Sequence, residues 1–477
     1  MPSRAASSGE RLRLIPAALV CIFAAATVLA LGGRADAGAG NGQQGGASQA
    51  VQAPKPATTQ DNAAALAQKA ALGDAASEYR LGRLYHSGDG VAKDDSEALR
   101  WYRKAADQGL TDAVKALGEA YAKGFGVAKD EAQAIQWFRK AADKGDAESE
   151  LTLGFAYTQG FGVPKDDAAG ASWYRKAADQ GLAGAQCNLG IAYALGRGVP
   201  QSYAEANKWF RLSADQGYVE GQTNLGYAYL NGLGVKQDLA AAAVWLRKAA
   251  DQGVVPVQYT LGAMYAAGQG VPQDDAQAVY WWRKAADQGD AQAQSNLGAM
   301  YDMGRGVPQD PAQAAVWWRK AADQGDAKSQ NNLGAMYQEG RGVAQNDKLA
   351  LEWFRKAADQ GHVRAQTNLG VIYGSGRGVP RDDVESAKWY KKAAEQGYPK
   401  AQYALAGDDE AGRGVAQDIV EAHKWYQLAA ALGTDDVKAA AMKDGDSLGA
   451  KMTAEQMAEA VTRAKAWLDE FQKKVKQ

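Results

Sequence analysis

Apolar residues between positions 74 and 433 recur with a period of 36, and each period contains two helical stripes. Tryptophan marks the period without a slip: Trp101, Trp137, Trp173, Trp209, Trp245, Trp281, Trp317, Trp353, Trp389 and Trp425. Leu81 recurs in phase ten times, through Leu405, and a tyrosine follows it by four in nine units, from Tyr85 to Tyr373. In the first half of a unit a small residue, the leucine and the tyrosine fall at i, i+4 and i+8, as in Ala113, Leu117 and Tyr121. That spacing lines one face of a helix. In the second half, Ala98, Trp101, Tyr102 and Ala105 and their counterparts form the buried stripe of a second helix.

The punctuation between stripes fixes where the helices begin and stop. Gly-x-Gly-Val closes the first helix in all ten units, beginning with Gly88-Asp89-Gly90-Val91. Glycine reaches a left-handed conformation without strain, so it ends a helix readily. Three residues after the valine stands Asp94, Asp130, Asp166, Ser202, Asp238, Asp274, Asp310, Asn346, Asp382 or Asp418. All ten are good N-caps. Glu or Gln stands three residues later in seven of them, the pattern of a reciprocal capping box. Pro311 occupies a first helical position. Each unit closes at a glycine such as Gly109 or Gly145, the last being Gly433.

A glycine also follows the leucine inside the first helix in nine units, from Gly82 to Gly370. Mid-helix glycine costs about 1 kcal/mol against alanine, so its repetition needs a packing reason. The expected reason is close approach of the second helix, with the anchor tryptophan over the missing Cβ. One hairpin cannot bury its own faces, so successive hairpins are expected to stack. The predicted fold is all-α: a right-handed α/α superhelical solenoid of ten 36-residue hairpins with capping helices. Residues 61–73 read as an N-terminal cap half-repeat, with Asp61 as N-cap. Residues 434–477 read as C-terminal capping helices, with Met457, Val461, Ala464 and Leu468 on the buried face of the last. In the tenth unit Asp409 replaces the tyrosine and Ala406 the glycine, which predicts a polar outer surface there.

The N-terminus is different in kind. Arg4, Arg11 and Arg13 precede an uncharged, almost wholly apolar stretch from Leu14 to Leu31, and Ala35-Asp36-Ala37 offers a small-x-small cleavage site. Residues 1–37 therefore read as a signal peptide or N-terminal membrane anchor. Pro16 and a length of eighteen residues place the apolar run at the lower edge of what spans a bilayer. Ala18 stands where a lipobox leucine would precede Cys21, which argues against a lipoprotein. Residues 38–60, rich in Gly, Gln, Ala, Pro and Thr, read as a flexible linker. The chain is expected to be exported to the periplasm or medium, or held at the inner membrane by residues 14–31.

Composition narrows the function. The 477 residues are 46% hydrophobic and 23% charged, which excludes a disordered chain. Lys+Arg number 54 against 55 Asp+Glu, with no cationic surplus to displace phosphate counterions, so nucleic acid is not an expected partner. Cys21 and Cys187 are the two cysteines, and His86, His362 and His423 are far apart in sequence, so neither a disulfide framework nor a metal site is expected.

Leu-Gly-x-x-Tyr, Gly-x-Gly-Val, Ala-x-x-Trp-Tyr and Lys-Ala-Ala-x-Gln-Gly in a 36-residue unit resemble the Sel-one-like repeat, a relative of the tetratricopeptide repeat. The likeness covers residues 74–433. It implies adaptor work, in envelope complexes, signalling or host contact, through a protein or peptide held in a concave groove. It also directs attention to the asparagine before the Leu-Gly: Asn188, Asn224, Asn296, Asn332 and Asn368. In tetratricopeptide domains the similarly placed Asn faces the groove and bonds a peptide backbone, and a carboxamide can both donate and accept. The competing reading is an Asn that satisfies a neighbouring repeat. The positions before these asparagines hold Cys187, Thr223, Ser295, Asn331 and Thr367, which does not favour a carboxylate clamp.

Other motifs carry less. The pairs Trp281-Trp282 and Trp317-Trp318 could stack on a sugar, which would support binding of glycan or cell-wall fragments, but the simpler reading is inter-repeat packing. The Gly-x-Gly turns lack the Lys-Ser/Thr of a phosphate loop. Arg103-Lys104 and its counterparts read as solvated helix faces. Some exported members of the family are labelled β-lactamases, yet no Ser-x-x-Lys, His-x-His or His-Glu-x-x-His occurs here, nor a cysteine pair in each repeat. A non-catalytic scaffold without cofactor is therefore the expected function. Export is checked by fusing residues 1–60 to a reporter enzyme active only after translocation: activity is expected, and a well-expressed but silent fusion would refute it.

Overall fold

The computed structural model describes residues 59–476, so the expected signal segment, residues 1–37, lies outside the described residues, as does all of the expected linker but its last two positions. The described residues form 23 α-helices and no strand. They are arranged as ten tandem helical hairpins, a solenoid with one helix before it and two after it. The chain divides into two compact units, residues 1–252 and 253–477. The first holds the helix Thr59–Ala71 and five hairpins; the second holds five hairpins and the terminal helices Asp435–Gly449 and Ala454–Lys476. Asp61 falls inside the first helix rather than capping it. Within each unit the two helices of a hairpin pack on each other and on the next hairpin, and both terminal helices pack on Ile419–Leu432.

Local signals set the boundaries as expected. All ten cap side chains accept a backbone N–H in the first turn of the second helix, for example Asp130 from Gln133 at 2.9 Å. The reciprocal half of the capping box is replaced by another bond. The cap residue's own N–H donates to the tyrosine carbonyl nine residues back, as from Asp130 to Tyr121 and Asp310 to Tyr301, both at 2.9 Å. That bond closes the Gly-x-Gly loop. Both loop glycines are left-handed, as at Gly124 (φ 78°) and Gly126 (φ 69°). The second also permits close approach: a Cβ on Gly126 would stand 2.2 Å from the Asp95 carbonyl oxygen of the preceding repeat.

The glycine inside the first helix has the expected cause but a different neighbour. The side chain over it belongs to the residue after the anchor tryptophan. A Cβ on Gly154 would lie 2.4 Å from the Tyr174 ring, one on Gly190 2.6 Å from Phe210, and one on Gly298 2.4 Å from Trp318. Trp282 and Trp318 are therefore packing residues. Their indole N–H groups donate to the carbonyls of Tyr259 (3.1 Å) and Ser295 (3.0 Å). The anchor tryptophans do not make that contact: Trp101, Trp137, Trp173 and Trp209 are half-buried, and the six from Trp245 to Trp425 are buried.

The Arg-Lys pairs are structural rather than merely solvated. The arginine donates to the tyrosine hydroxyl of the next repeat, as from Arg103 to Tyr121 (3.0 Å) and Arg319 to Tyr337 (2.6 Å). The lysine lies over the anchor indole three residues back, as at Lys140 on Trp137 (3.9 Å) and Lys320 on Trp317 (4.0 Å). A second ladder runs through glutamines. Gln216 donates to Gln186, and Gln324 to Gln294, at 2.8 Å within one hairpin. Gln294 in turn donates to the Ala286 carbonyl of the preceding repeat at 3.1 Å. The ladder stops at Gln402, whose Oε1 is buried without a partner. Leu432 occupies the place where Gln396 stands one repeat earlier.

The C-terminal end departs from expectation in two respects. In the helix Ala454–Lys476, Ala464 is buried and Met457 and Leu468 are half-buried as expected, but Ala460 takes the buried place expected of Val461, which is 48% exposed. The Trp467 ring, stacked on Phe471 at 4.9 Å, meets Trp425 edge-on at 5.9 Å. Asp409 does not make a polar outer surface; it is buried, 7% exposed. Burial, reinforced by the charges of Glu421 and Asp418, raises its carboxyl to about 7. Unfolding restores an ordinary carboxyl, so the folded chain holds the proton more tightly and stability falls as pH rises from about 4 to about 7. Asp409→Asn keeps the neutral form at every pH. It is expected to stabilise the chain by about 1–3 kcal/mol at pH 8 and not at pH 4, read as thermal melting at both pH values. A gain independent of pH would contradict this.

Candidate functional site

Positions that repeat without change hold the hairpins together, so recognition falls to positions that differ between repeats on an open face. One such position is occupied by Glu119, Phe155 and Ile191, all half-buried, in successive first helices. Around Phe155 the first helices Thr111–Lys123, Ala147–Gln159 and Ala183–Leu195 border a cavity of about 340 Å³. Its walls are apolar and largely aromatic: Leu151, Phe155 and Phe161, with Phe138 beneath and Tyr218 at the far side. Burial raises the Tyr218 hydroxyl above the ordinary tyrosine value, and the Glu220 charge adds to this. The phenol therefore stays neutral and presents an apolar face.

Gly184 opens the cavity. It lies in the first turn of its helix, where neighbouring repeats carry Glu148 and Glu220. A Cβ there would make ordinary contacts with the Tyr218 hydroxyl (3.5 Å) and Leu151 (3.6 Å), so the missing side chain leaves space rather than relieving a clash.

The rim is charged but balanced. Lys115 donates to Glu148 at 2.5 Å and lies 3.9 Å from Asp146. Burial pulls its ammonium down, but the Glu148 bond and the nearby carboxylates outweigh that and leave it raised. Lys123 pairs with Glu119 at 3.4 Å. Exposed pairs of this kind contribute little to stability, and the rim does not favour one sign of charge.

The five asparagines fall in two groups. Asn188 lines the cavity, is half-buried, and has no hydrogen-bond partner among the described residues. Asn224 is buried and donates to Cys187 Sγ at 3.6 Å. Asn368 donates to Asn331 at 3.1 Å, Asn332 accepts from Asn331 at 3.5 Å, and Asn296 lies beside the Tyr259 hydroxyl of the preceding repeat. The last three are half-buried. The structure thus brings Asn188 into the cavity, whereas the other four engage neighbouring repeats or a flanking side chain. Sequence reading passed over Phe155, Gly184 and Tyr218, and the available signal was their departure from the repeat.

Among the described residues no group of His, Cys, Asp and Glu is placed to hold a metal ion, and no helix is long and apolar enough to cross a membrane.

Ten consecutive segments match the Sel1 repeat: residues 75–110, 111–146, 147–182, 183–218, 219–254, 255–290, 291–326, 327–362, 363–398 and 399–434. No curated protein matches the chain. The solved structures similar to this chain include two Sel1-type solenoids. One is a protective antigen of uropathogenic Escherichia coli strains, described as displaying an SLR fold. It is 36% identical, covers 86% of this chain and 95% of its own, and has a TM-score of 0.63. The other, a Sel1 repeat protein from Oxalobacter formigenes, is 35% identical, covers 65% of this chain and 89% of its own, and has a TM-score of 0.53.

Proposed function

The chain belongs to the Sel1 repeat family, and from that premise we propose that it is a non-catalytic scaffold of the bacterial envelope that captures a protein or peptide on the first helices of its second to fourth repeats. Sel1 repeat proteins are in general protein-interaction scaffolds, and their solenoid is typically non-catalytic. The observation that carries the finer reading is the aromatic cavity opened by Gly184 and bordered by the unengaged amide of Asn188. An apolar side chain of the partner fills the cavity, where burial of apolar surface supplies affinity. Asn188 donates to a backbone carbonyl of the partner and accepts an amide, orienting the segment without reading its sequence. The export reading rests on the basic and apolar pattern of residues 1–37.

The glycan alternative loses its main support, because Trp282 and Trp318 are buried with their indole N–H groups bonded to backbone.

Selection of displayed random peptides on the purified chain tests the proposal. The selected peptides are expected to share an apolar anchor residue. Gly184→Leu fills the cavity without a forced clash and is expected to weaken them by at least ten-fold with melting retained. Asn188→Ala is expected to weaken them by about three- to ten-fold, the loss of about one net hydrogen bond. Peptides that bind Gly184→Leu as well as the parent would refute the site.

A further inference from the structure

A second cavity, of about 640 Å³, opens in the other compact unit, between the hairpin of the tenth repeat and the helix that follows it. It exists because the tenth repeat carries Ala404 and Gly407 where the ninth carries Asn368 and Val371. Arg413 stands over the space so created. In two other repeats the corresponding arginine reaches back to the aspartate that starts the preceding second helix: Arg305 to Asp275 at 2.8 Å, Arg377 to Asp347 at 3.0 Å. For Arg413 that aspartate is Asp383, which both Nε and Nη2 of Arg381 already engage, at 2.9 and 3.0 Å. Arg413 turns instead onto Asp408 of its own repeat, through Nε alone at 3.1 Å. Its Nη2 lies 3.3 Å from the place a Cβ on Gly407 would take, and neither terminal nitrogen has a partner among the described residues.

The other lining groups divide by what they have left to offer. Tyr403 donates to Asp444 at 2.6 Å, and Tyr426 to Glu410 at 3.1 Å, so both hydroxyls are committed. Their rings, with centroids 5.8 Å apart, and Leu448 remain as an apolar wall. Lys451 sits 3.7 Å from Glu410, an ion pair without a hydrogen bond, and its side chain is mostly exposed. The unfilled capacity of the cavity is therefore cationic: the terminal edge of one guanidinium and one ammonium beside aromatic surface.

We propose that this cavity binds a carboxylate attached to an aromatic or branched apolar group, with Arg413 as the principal donor and Lys451 as the second. A guanidinium edge matches a carboxylate in a two-bond arrangement, and Asp408 holds that edge in place. The carboxylate comes either from a free small organic acid or from a peptide C-terminus. This site is separate from the peptide-binding face of the second to fourth repeats and does not depend on it.

Isothermal titration of the full chain with N-acetylphenylalanine and with its carboxamide tests the proposal. The acid is expected to bind at least ten-fold more tightly than the amide. Arg413→Gln is expected to remove that preference. Gly407→Leu, whose Cβ meets the flexible end of Arg413 at 3.3 Å and the Tyr426 hydroxyl at an ordinary 3.8 Å, is expected to abolish binding, with melting curves confirming that both variants fold. A peptide ending in phenylalanine with a free carboxylate identifies the source. Affinity about ten-fold above that of N-acetylphenylalanine assigns the site to a chain terminus, and equal affinity assigns it to a small acid. Equal binding of acid and amide, no binding of either at about 10 mM, or full retention of affinity in Arg413→Gln would overturn the assignment.

Discussion

The hairpins depend on one distance, the separation between the backbone of each first helix and the ring or aliphatic side chain laid across it. At Gly154 a Cβ would stand 2.4 Å from the Tyr174 ring, and at Gly226 2.7 Å from Leu246. No side chain other than hydrogen fits. The helix-propensity cost of about 1 kcal/mol per glycine is offset by burial of a large side chain in the same place. Once that approach is set, the anchor tryptophan lies outside it. The lysine three residues on covers its face, and the arginine two residues on reaches the next repeat's tyrosine. Each such exposed contact contributes little by itself, about 0.5–1 kcal/mol for a cation on an indole. Their value lies in repetition, because each repeat is stabilised chiefly by its immediate neighbours.

The ends show what that dependence costs. Gln402 has lost the glutamine that satisfies its counterparts, since Leu432 stands there, and its Oε1 is buried without a partner. Asp409 replaces the repeat's tyrosine, just as Lys391 replaces the arginine that would have met it, and it carries a carboxyl into a buried position. The C-terminal helices compensate by covering the last hairpin with Trp467 against Trp425. Two further departures in the same repeat, Ala404 and Gly407, open the Arg413 cavity.

Features governed by a few consecutive residues could be read in the sequence. The period, the two helices, the ten N-caps and the left-handed turns follow from local spacing and from what Asp and Gly do to a backbone. Features governed by the rotation of one helix on another could not. Whether Trp173 or Tyr174 meets Gly154 is a matter of about 100° around a helix, which spacing alone does not settle. The solvated reading of Arg103-Lys104 failed for a related reason, since its partner Tyr121 is eighteen residues away in the next repeat. The cavity at Gly184 needs side chains from three repeats at once. A lone glycine at a variable position was its trace in the sequence.

Neighbouring residues of one helix test the division between positions that fold the chain and positions that recognise a partner. The measurement is melting and affinity for a selected peptide in Gly154→Ala and Phe155→Ala. Gly154→Ala is expected to lose about 1–3 kcal/mol of stability, despite the better helix former, and to keep its affinity while folded. Phe155→Ala, at a half-exposed site, is expected to lose less stability and at least ten-fold in affinity. A stabilised Gly154→Ala, or undiminished binding by Phe155→Ala, would contradict the account.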